Sequence, residues 1–293
     1  MSYKNIYILG VGGSGMSSIA KYLKQKGDNV IGYDQRKSYV TNLLNQDGIK
    51  VVHTLDEITY KPHSLYIYSS AIPIESDRFE DFHDKENVLS RPEYLKNLSE
   101  NHKIIGITGT HGKTSTTALL SHIFHFNNVN VSYLYGGITT FNGIGGHYGD
   151  PDQPLILETD EAFNTFEKIK ISDLLVLNVD SDHLDYFKNL DNYKDAFYKV
   201  MKNVTDNLVI NNDDLNIKSM KELKNPVSYG KDIAADFKVQ SPGTFIYENN
   251  KYEIKSDIIG DHFKANMLGA IILALLNGIE IKDSLNAIES FAG

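Results

Sequence analysis

Thr108-Gly109-Thr110-His111-Gly112-Lys113-Thr114 is the part of this chain whose residue types and spacing most directly suggest chemistry. It follows the apolar run Lys103-Ile104-Ile105-Gly106-Ile107 and leads into a helical pattern from Ser115 to His125. A short strand, a glycine-bearing turn and a helix start build a cradle in which backbone N–H groups face an anion. Lys113 adds a point charge suited to outer phosphates, and the Thr114 hydroxyl can hold Mg²⁺. The usual G-x-x-x-x-G-K-[ST] spacing places glycine at 107, where this chain has Ile107. The tight element is therefore Gly109-x-x-Gly112-Lys113-Thr114. Alone, such a triplet also serves as a plain helix start with an exposed lysine, so its surroundings decide.

A second turn stands near the N-terminus. Gly10-Val11-Gly12-Gly13-Ser14-Gly15 fits G-x-G-x-x-G between a strand pattern and a helix pattern, and Asp34 lies 19 residues beyond Gly15 at the end of the next strand. In that layout the glycines admit a diphosphate to a helix N-terminus and the carboxylate takes a sugar hydroxyl. NAD, FAD and UDP-sugars all use it, and a tight βα turn that binds nothing has the same residues. Glu158 ends the apolar run from Pro154, with Asp160 and Glu161 after it; beside a phosphate cradle a carboxylate there suits Mg²⁺, which prefers hard oxygen donors. Asp180-Ser181-Asp182-His183-Leu184-Asp185 follows the strand Leu174–Asn178 and belongs at the same sheet edge. His183 can ligate a second metal, orient a carboxylate or stand idle there. His262 and Asn266, at the start of a helix over 266–277, can edge a purine or be ordinary helix-start residues.

The elements that must position these residues alternate. Strands are expected at 5–9, 29–33, 50–52, 64–69, 103–107, 154–157, 174–178 and 208–210, with helices at 16–25, 40–46 and 115–125 between them. That alternation indicates βαβ units and a mostly parallel sheet. Leu98-Ser99-Glu100-Asn101-His102 reads as a hinge, giving a Rossmann-like domain over 1–100 and a P-loop-type α/β domain over 101–293. Phe237–Gln240, Thr244–Glu248 and Lys251–Ile254 alternate apolar and polar residues around Asn249-Asn250, which predicts a small antiparallel hairpin region. Helices at 266–277 and 282–290 complete the pattern.

Composition sets the outer bounds. A net charge of −9 argues against sequence-independent nucleic-acid or anionic-membrane binding. The chain has no cysteine, so disulfides, thiolate nucleophiles and Cys-zinc sites are excluded. No secretory leader pattern is visible, and the apolar stretch 268–276 falls far short of the ~20 residues of a membrane span. A cytoplasmic protein is expected; oligomeric state is left open.

Taken in order, Gly10–Met16, Ser69-Ser-Ala-Ile72, Arg91-Pro-Glu93, Gly109–Thr114, Gly136-Gly137, Glu158–Glu161, Asn178 with Asp182-His183-x-Asp185, and His262-x-x-x-Asn266 resemble the Mur ligases. These are ATP-dependent amide-forming enzymes of peptidoglycan precursor synthesis. The resemblance runs through all 293 residues. It implies that Gly12, Gly13, Ser14, Gly15, Met16, Asp34, Ser70, Ala71 and Arg91 hold a UDP-sugar. It implies ATP phosphates on Gly109, Thr110, His111, Gly112, Lys113, Thr114 and Ser115, with His262 and Asn266 on the adenine side. Mg²⁺ would sit on Thr114 and Glu158, and a second ion on Glu158 and His183, with Lys113, Glu158 and His183 as the catalytic set. The implied substrates are UDP-N-acetylmuramate and L-alanine, joined through an acyl phosphate.

The family pattern His-Asn-x-x-Asn reads His262-Phe263-Lys264-Ala265-Asn266 here, so one hydrogen-bonding side chain is replaced by a ring. The family also has a third domain carrying the amino-acid site, which is expected to be absent here, with little or no full ligase activity. Addition of a murein tripeptide to UDP-N-acetylmuramate and a non-catalytic nucleotide or UDP-sugar sensor are the alternatives. A nicotinamide dehydrogenase accounts for residues 1–34 and leaves the second turn idle.

Overall fold

A computed structural model describes residues 3–160, 166–180, 187–220 and 223–293. The chain opens with β1 (Asn5–Leu9), turns through glycines into α1 (Ser14–Gln25), and continues through β2 (Val30–Tyr33), α2 (Tyr39–Gln46), β3 (Lys50–Val52), β4 (Ser64–Tyr68) and β5 (Val88–Ser90) to α3 (Arg91–Ser99). Residues 16, 19, 20 and 23 of α1 are buried, the stripe that a helix lays on a sheet. Ser90 and Glu93 cap α3 reciprocally, with proline in its first turn, which fixes where Arg91 emerges. The five strands run parallel in the order β3-β2-β1-β4-β5. One side of the sheet is an aromatic core: Tyr7 stacks on Tyr66 at 4.9 Å, and Phe82 meets Tyr66 edge-on at 5.0 Å.

The chain then forms β6 (Ile104–Thr108) and α4 (Lys113–Phe126), followed by a hairpin of β7 (Ser132–Thr139) and β8 (Gly143–His147). By packing, the molecule divides into one unit of Met1–Asn101 with Ser132–Asp150, and another of His102–Val131 with Pro151–Gly293. The hairpin therefore packs with the first unit. The Lys21 ammonium on α1 donates to the Asn142 and Ile144 carbonyls at 2.7 and 3.2 Å. A Cβ on Gly146 would overlap the Ser18 carbonyl, so glycine is what permits this close approach.

The second unit continues with β9 (Leu155–Glu158), β10 (Asp173–Val176), α5 (Leu190–Lys202), β11 (Asn207–Asn211), α6 (Leu215–Lys218), β12 (Val227–Gly230), β13 (Phe237–Ser241), β14 (Thr244–Tyr247), β15 (Asn250–Glu253), α7 (Asp261–Leu276) and α8 (Ile281–Glu289). Strand order within it is β15-β14-β13-β12-β11-β10-β6-β9, parallel from β9 through β13 and antiparallel over the last two pairs. Residues 266–274 of α7 are all buried, as expected of a helix apolar on every side. A Cβ on Gly269 would stand 2.8 Å from a Leu175 methyl, so that glycine lets α7 lie close on the sheet.

The α/β class read from the sequence stands, with several differences in detail. The expected hairpin near 237–254 is a three-stranded antiparallel run whose first strand also pairs in parallel with β12. Its tight turn is Glu248-Asn249 rather than Asn249-Asn250. Tyr247 pairs with Asn250 across two residues of positive φ, 50° and 63°. The helix expected from Asn266 begins five residues earlier, at Asp261. Strands β5, β7, β8 and β12 and helices α3, α5 and α6 lie outside the sequence expectations.

Candidate functional site

In the second unit, the central strands order as β10-β6-β9, and the candidate residues lie where these strands end. In register, Ile107 of β6 stands opposite Glu158 of β9, and Thr108 stands opposite Val176 of β10. Carboxyl ends of parallel strands flanking a strand-order reversal are where α/β folds bind ligands. The turn after β6 is bent by two glycines of positive φ, Gly109 at 142° and Gly112 at 86°. A Cβ on Gly109 would lie 3.0–3.1 Å from Leu177 and the Asn178 backbone, so the turn sits directly on the end of β10.

Asn178 clamps that turn from both sides. Its carboxamide oxygen accepts the His111 N–H at 2.8 Å, its Nδ2 donates to the His111 carbonyl at 2.9 Å, and its own carbonyl accepts the Thr110 N–H at 3.1 Å. Gly112 caps α4 with no side chain bonded to the helix start, so no cap competes there for an anion. Lys113 reaches back over the turn and donates to the Gly109 carbonyl at 2.7 Å. The Thr114 hydroxyl lies 3.0 and 3.1 Å from the two Glu158 carboxylate oxygens. A hydroxyl and a carboxylate converging at the mouth of an anion cradle are the hard oxygen donors Mg²⁺ takes alongside phosphate and water, so the residues fit a metal–nucleotide complex. Ser115 is exposed in the first turn of α4.

His183, with Asp182, Asp185 and Glu161, lies outside the described residues. Among the described residues no cluster of three or more His, Asp or Glu side chains is placed to hold a metal ion.

The structure separates His262 from Asn266. Asn266 is buried, and its amide would touch a Cβ placed on Gly112, so it abuts the Gly109–Thr114 turn. With Ser115, Leu119, Phe263 and Met267 it lines a largely apolar cavity of about 220 Å³ beside the start of α4. His262 lies on a different cavity, with Tyr229, Lys231 and Phe245. The side chains read as one purine edge thus face two spaces, and Phe263, the departure from the family pattern, lines the space shared with Asn266.

In the first unit, Gly10 has φ 81° and Gly13 caps α1 without a side-chain hydrogen bond. Asp34 braces this turn: its carboxylate accepts the Gly12 N–H at 2.8 Å and the Arg36 N–H at 3.0 Å. The Arg91 guanidinium lies over the first turn of α1, with Nε 2.8 Å from where a Gly15 Cβ would be. A guanidinium fork, an uncapped helix start and a glycine without Cβ are groups of the kind from which anion sites are built. Gly13 and Ser14 are exposed within it, while Met16 is buried beneath the turn. Ser70 and Ala71 are exposed just past β4, where the Ser69 hydroxyl accepts the Ala71 N–H at 3.3 Å.

One side chain behind the Gly109–Thr114 turn lies outside the sequence expectations. Tyr193 of α5 is fully buried, with its hydroxyl 3.1 Å from Thr110 Oγ1. Its apolar spacing marks a helix, but nothing in the sequence pairs it with position 110.

Comparison with known proteins adds family information. The profile of the Mur ligase middle domain matches residues 107–274, and that of the Mur ligase family catalytic domain matches residues 5–103. The chain is 33% identical, over 99% of its length, to a UDP-N-acetylmuramate–L-alanine ligase of Clostridium botulinum. It is 30% identical, again over 99%, to the enzyme of that name from Cytophaga hutchinsonii. It spans 66% of the length of each of these relatives. Among solved structures, a UDP-N-acetylmuramate–alanine ligase of Thermotoga maritima superposes with TM-score 0.83 at 25% identity, covering 99% of this chain and 69% of that one. A UDP-N-acetylmuramate:L-alanyl-γ-D-glutamyl-meso-diaminopimelate ligase of Neisseria meningitides shares the fold, with TM-score 0.84 at 22% identity over 100% of this chain and 99% of that one. Among the described residues no helix is long and apolar enough to cross a membrane.

Proposed function

Because the chain belongs to the Mur ligase family, we propose that it is the UDP-sugar-binding and ATP-binding part of a ligase joining L-alanine to UDP-N-acetylmuramate. The observation that carries this reading is the Thr114–Glu158 pair at the mouth of the Lys113 turn, which sets a hydroxyl and a carboxylate beside the uncapped start of α4.

The reaction this reading assigns has two steps. A muramyl carboxylate oxygen attacks the γ-phosphorus of ATP, the bond to the β-phosphate oxygen breaks, and ADP leaves with an acyl phosphate formed. The amine of L-alanine then attacks the acyl carbon, inorganic phosphate departs with the C–O bonding pair, and the amine loses a proton. The first step brings two anions together, so positioning and charge neutralisation carry the catalysis. Lys113 screens the outer phosphates. The N–H groups at the start of α4 hold the phosphate oxygens in place, and the Asn178 clamp keeps the turn in the shape that presents them. Mg²⁺ held by Thr114 and Glu158 would neutralise phosphate charge. In the first unit, Arg91 and the Gly12–Gly15 turn bind the UDP diphosphate, with Asp34 bracing the turn. The protein is assigned to the cytoplasm, where ATP and UDP-sugars are found.

Calorimetric titration tests the assignment. UDP-N-acetylmuramate and Mg²⁺-ATP are each expected to bind saturably and independently at one site. Binding of NAD in place of the UDP-sugar would return the Gly10–Gly15 turn to a dinucleotide role and overturn the ligase reading.

A further inference from the structure

Helix α5 ends an aromatic column in the second unit. Phe166 meets Phe197 edge-on at 5.3 Å, Phe197 meets Tyr193 at 5.1 Å, and Tyr193 meets Phe187 at 5.0 Å. Packing alone explains a ring at position 193. It does not explain a phenol, because a fully buried hydroxyl must find a partner or destabilise the fold. A partner is on the phosphate turn: Tyr193 Oη lies 3.1 Å from Thr110 Oγ1, and both groups are buried. Thr110 Oγ1 also accepts the Asp180 N–H at 2.8 Å. The turn is thus held at Thr110 by Asp180 and Tyr193, and at His111 by Asn178.

We propose that Tyr193 is a positioning residue for the phosphate turn, fixing Thr110 through its hydroxyl so that the N–H groups of residues 112–114 converge on a nucleoside triphosphate. The inference rests on the phosphate-binding reading of that turn and adds to it a residue that touches no ligand. A preorganised cradle binds better than one that must be ordered at the moment of binding. A neutral buried hydrogen bond has a net value of about 1 kcal/mol. Its loss corresponds to about fivefold in affinity.

The test uses the full chain and calorimetric titration with Mg²⁺-ATP, inorganic tripolyphosphate and AMP. Tyr193→Phe keeps the ring and removes the hydroxyl. It is expected to weaken ATP and tripolyphosphate binding about three- to tenfold while changing AMP binding less than twofold. Thr110→Ser keeps a hydroxyl and is expected to retain most of the affinity, whereas Thr110→Val loses it. In the double-mutant cycle, Tyr193→Phe added to Thr110→Val is expected to have little further effect, since the two hydroxyls act as one contact. A lower melting temperature for Tyr193→Phe with unchanged tripolyphosphate affinity would assign the hydroxyl to stability alone and overturn the proposal. Additive losses in the cycle would overturn it too. Failure of the unsubstituted chain to bind either ATP or tripolyphosphate would overturn the phosphate-turn reading itself, and this inference with it.

Discussion

The two glycine turns use one backbone device in two chemical settings. Each follows a parallel strand, each opens a helix whose N-cap is glycine, and in neither does a side chain cap that helix. They differ in what surrounds the cradle. The Gly10–Gly15 turn is braced by one carboxylate, Asp34, and receives its positive charge from another helix, through the Arg91 fork. The Gly109–Thr114 turn is clamped by Asn178 and, at Thr110, by Asp180, and carries its own charge at Lys113 and its own hydroxyl at Thr114, paired with Glu158. A guanidinium suits bidentate contact with a diphosphate; an ammonium beside a hydroxyl–carboxylate pair suits a metal-bound triphosphate whose terminal group must leave. The backbone supplies a generic anion site, and the side chains around it decide which anion and whether chemistry follows.

The largest expected effect comes from exchanging the charge at each turn. Lys113→Ala is expected to weaken Mg²⁺-ATP binding by roughly 100-fold and to leave UDP-N-acetylmuramate affinity within twofold, since a charge-assisted phosphate contact contributes about 2–3 kcal/mol. Arg91→Ala should do the reverse, by roughly 30-fold on the UDP-sugar. Parallel titrations of both variants with both ligands check this. Loss of both ligands in either variant would break the assignment of one anion to each turn.

A smaller effect separates the turns by metal dependence. Glu158→Gln keeps the size of the side chain and a hydrogen bond to Thr114 while removing the charge that attracts Mg²⁺. The concentration of Mg²⁺ needed for half-maximal ATP binding should rise about tenfold, and UDP-sugar binding should be unaffected. An unchanged Mg²⁺ titration would remove Glu158 from the metal site and leave Lys113 as the main distinction between the turns.

How much of this was legible in the sequence depends on how local each signal is. Both turns, their strands and Asp34 sit within short windows, so glycine spacing and apolar runs located them. The β7–β8 hairpin was missed because Gly136-Gly137 interrupts its strand pattern and its packing partner, α1, lies more than a hundred residues away. Helix α5 was legible and overlooked: positions 193, 196, 197, 200 and 201 are apolar at helical spacing, and Asn189 caps the helix. Asn178 belongs to a motif visible in the sequence, but its two-sided clamp on His111 is a tertiary fact that spacing does not encode. The same holds for Tyr193 and for the separation of His262 from Asn266. A four-residue spacing puts two side chains near one helix face, but packing against the sheet decides which cavity each one enters.

The smallest expected effect concerns what anchors the helix behind each turn. In the first unit Lys21 of α1 donates to two hairpin carbonyls, and burial lowers its pKa, partly offset by Asp47. In the second unit His122 of α4 lies 3.0 Å from the Ala287 carbonyl and 3.0 Å from Ser290 Oγ beyond α8, and its ring stands 5.4 Å from Phe291. Burial lowers the His122 pKa below 6.5, against a smaller opposing contribution from the Ala287 carbonyl. The unfolded chain therefore takes up a proton at this residue more readily than the folded chain does, so its contribution to stability is retained above about pH 6.5 and lost as pH falls through the lowered value. His122→Gln keeps an N–H donor and cannot titrate. Between pH 7.5 and 5.5 the melting temperature of the unsubstituted chain should fall further than that of the variant, by on the order of 2 °C. Thermal melts monitored by circular dichroism across that range check it. Equal pH slopes in the two proteins would show that the anchor of α4 is no more acid-sensitive than that of α1, leaving the turns to differ only in the groups that meet their ligands.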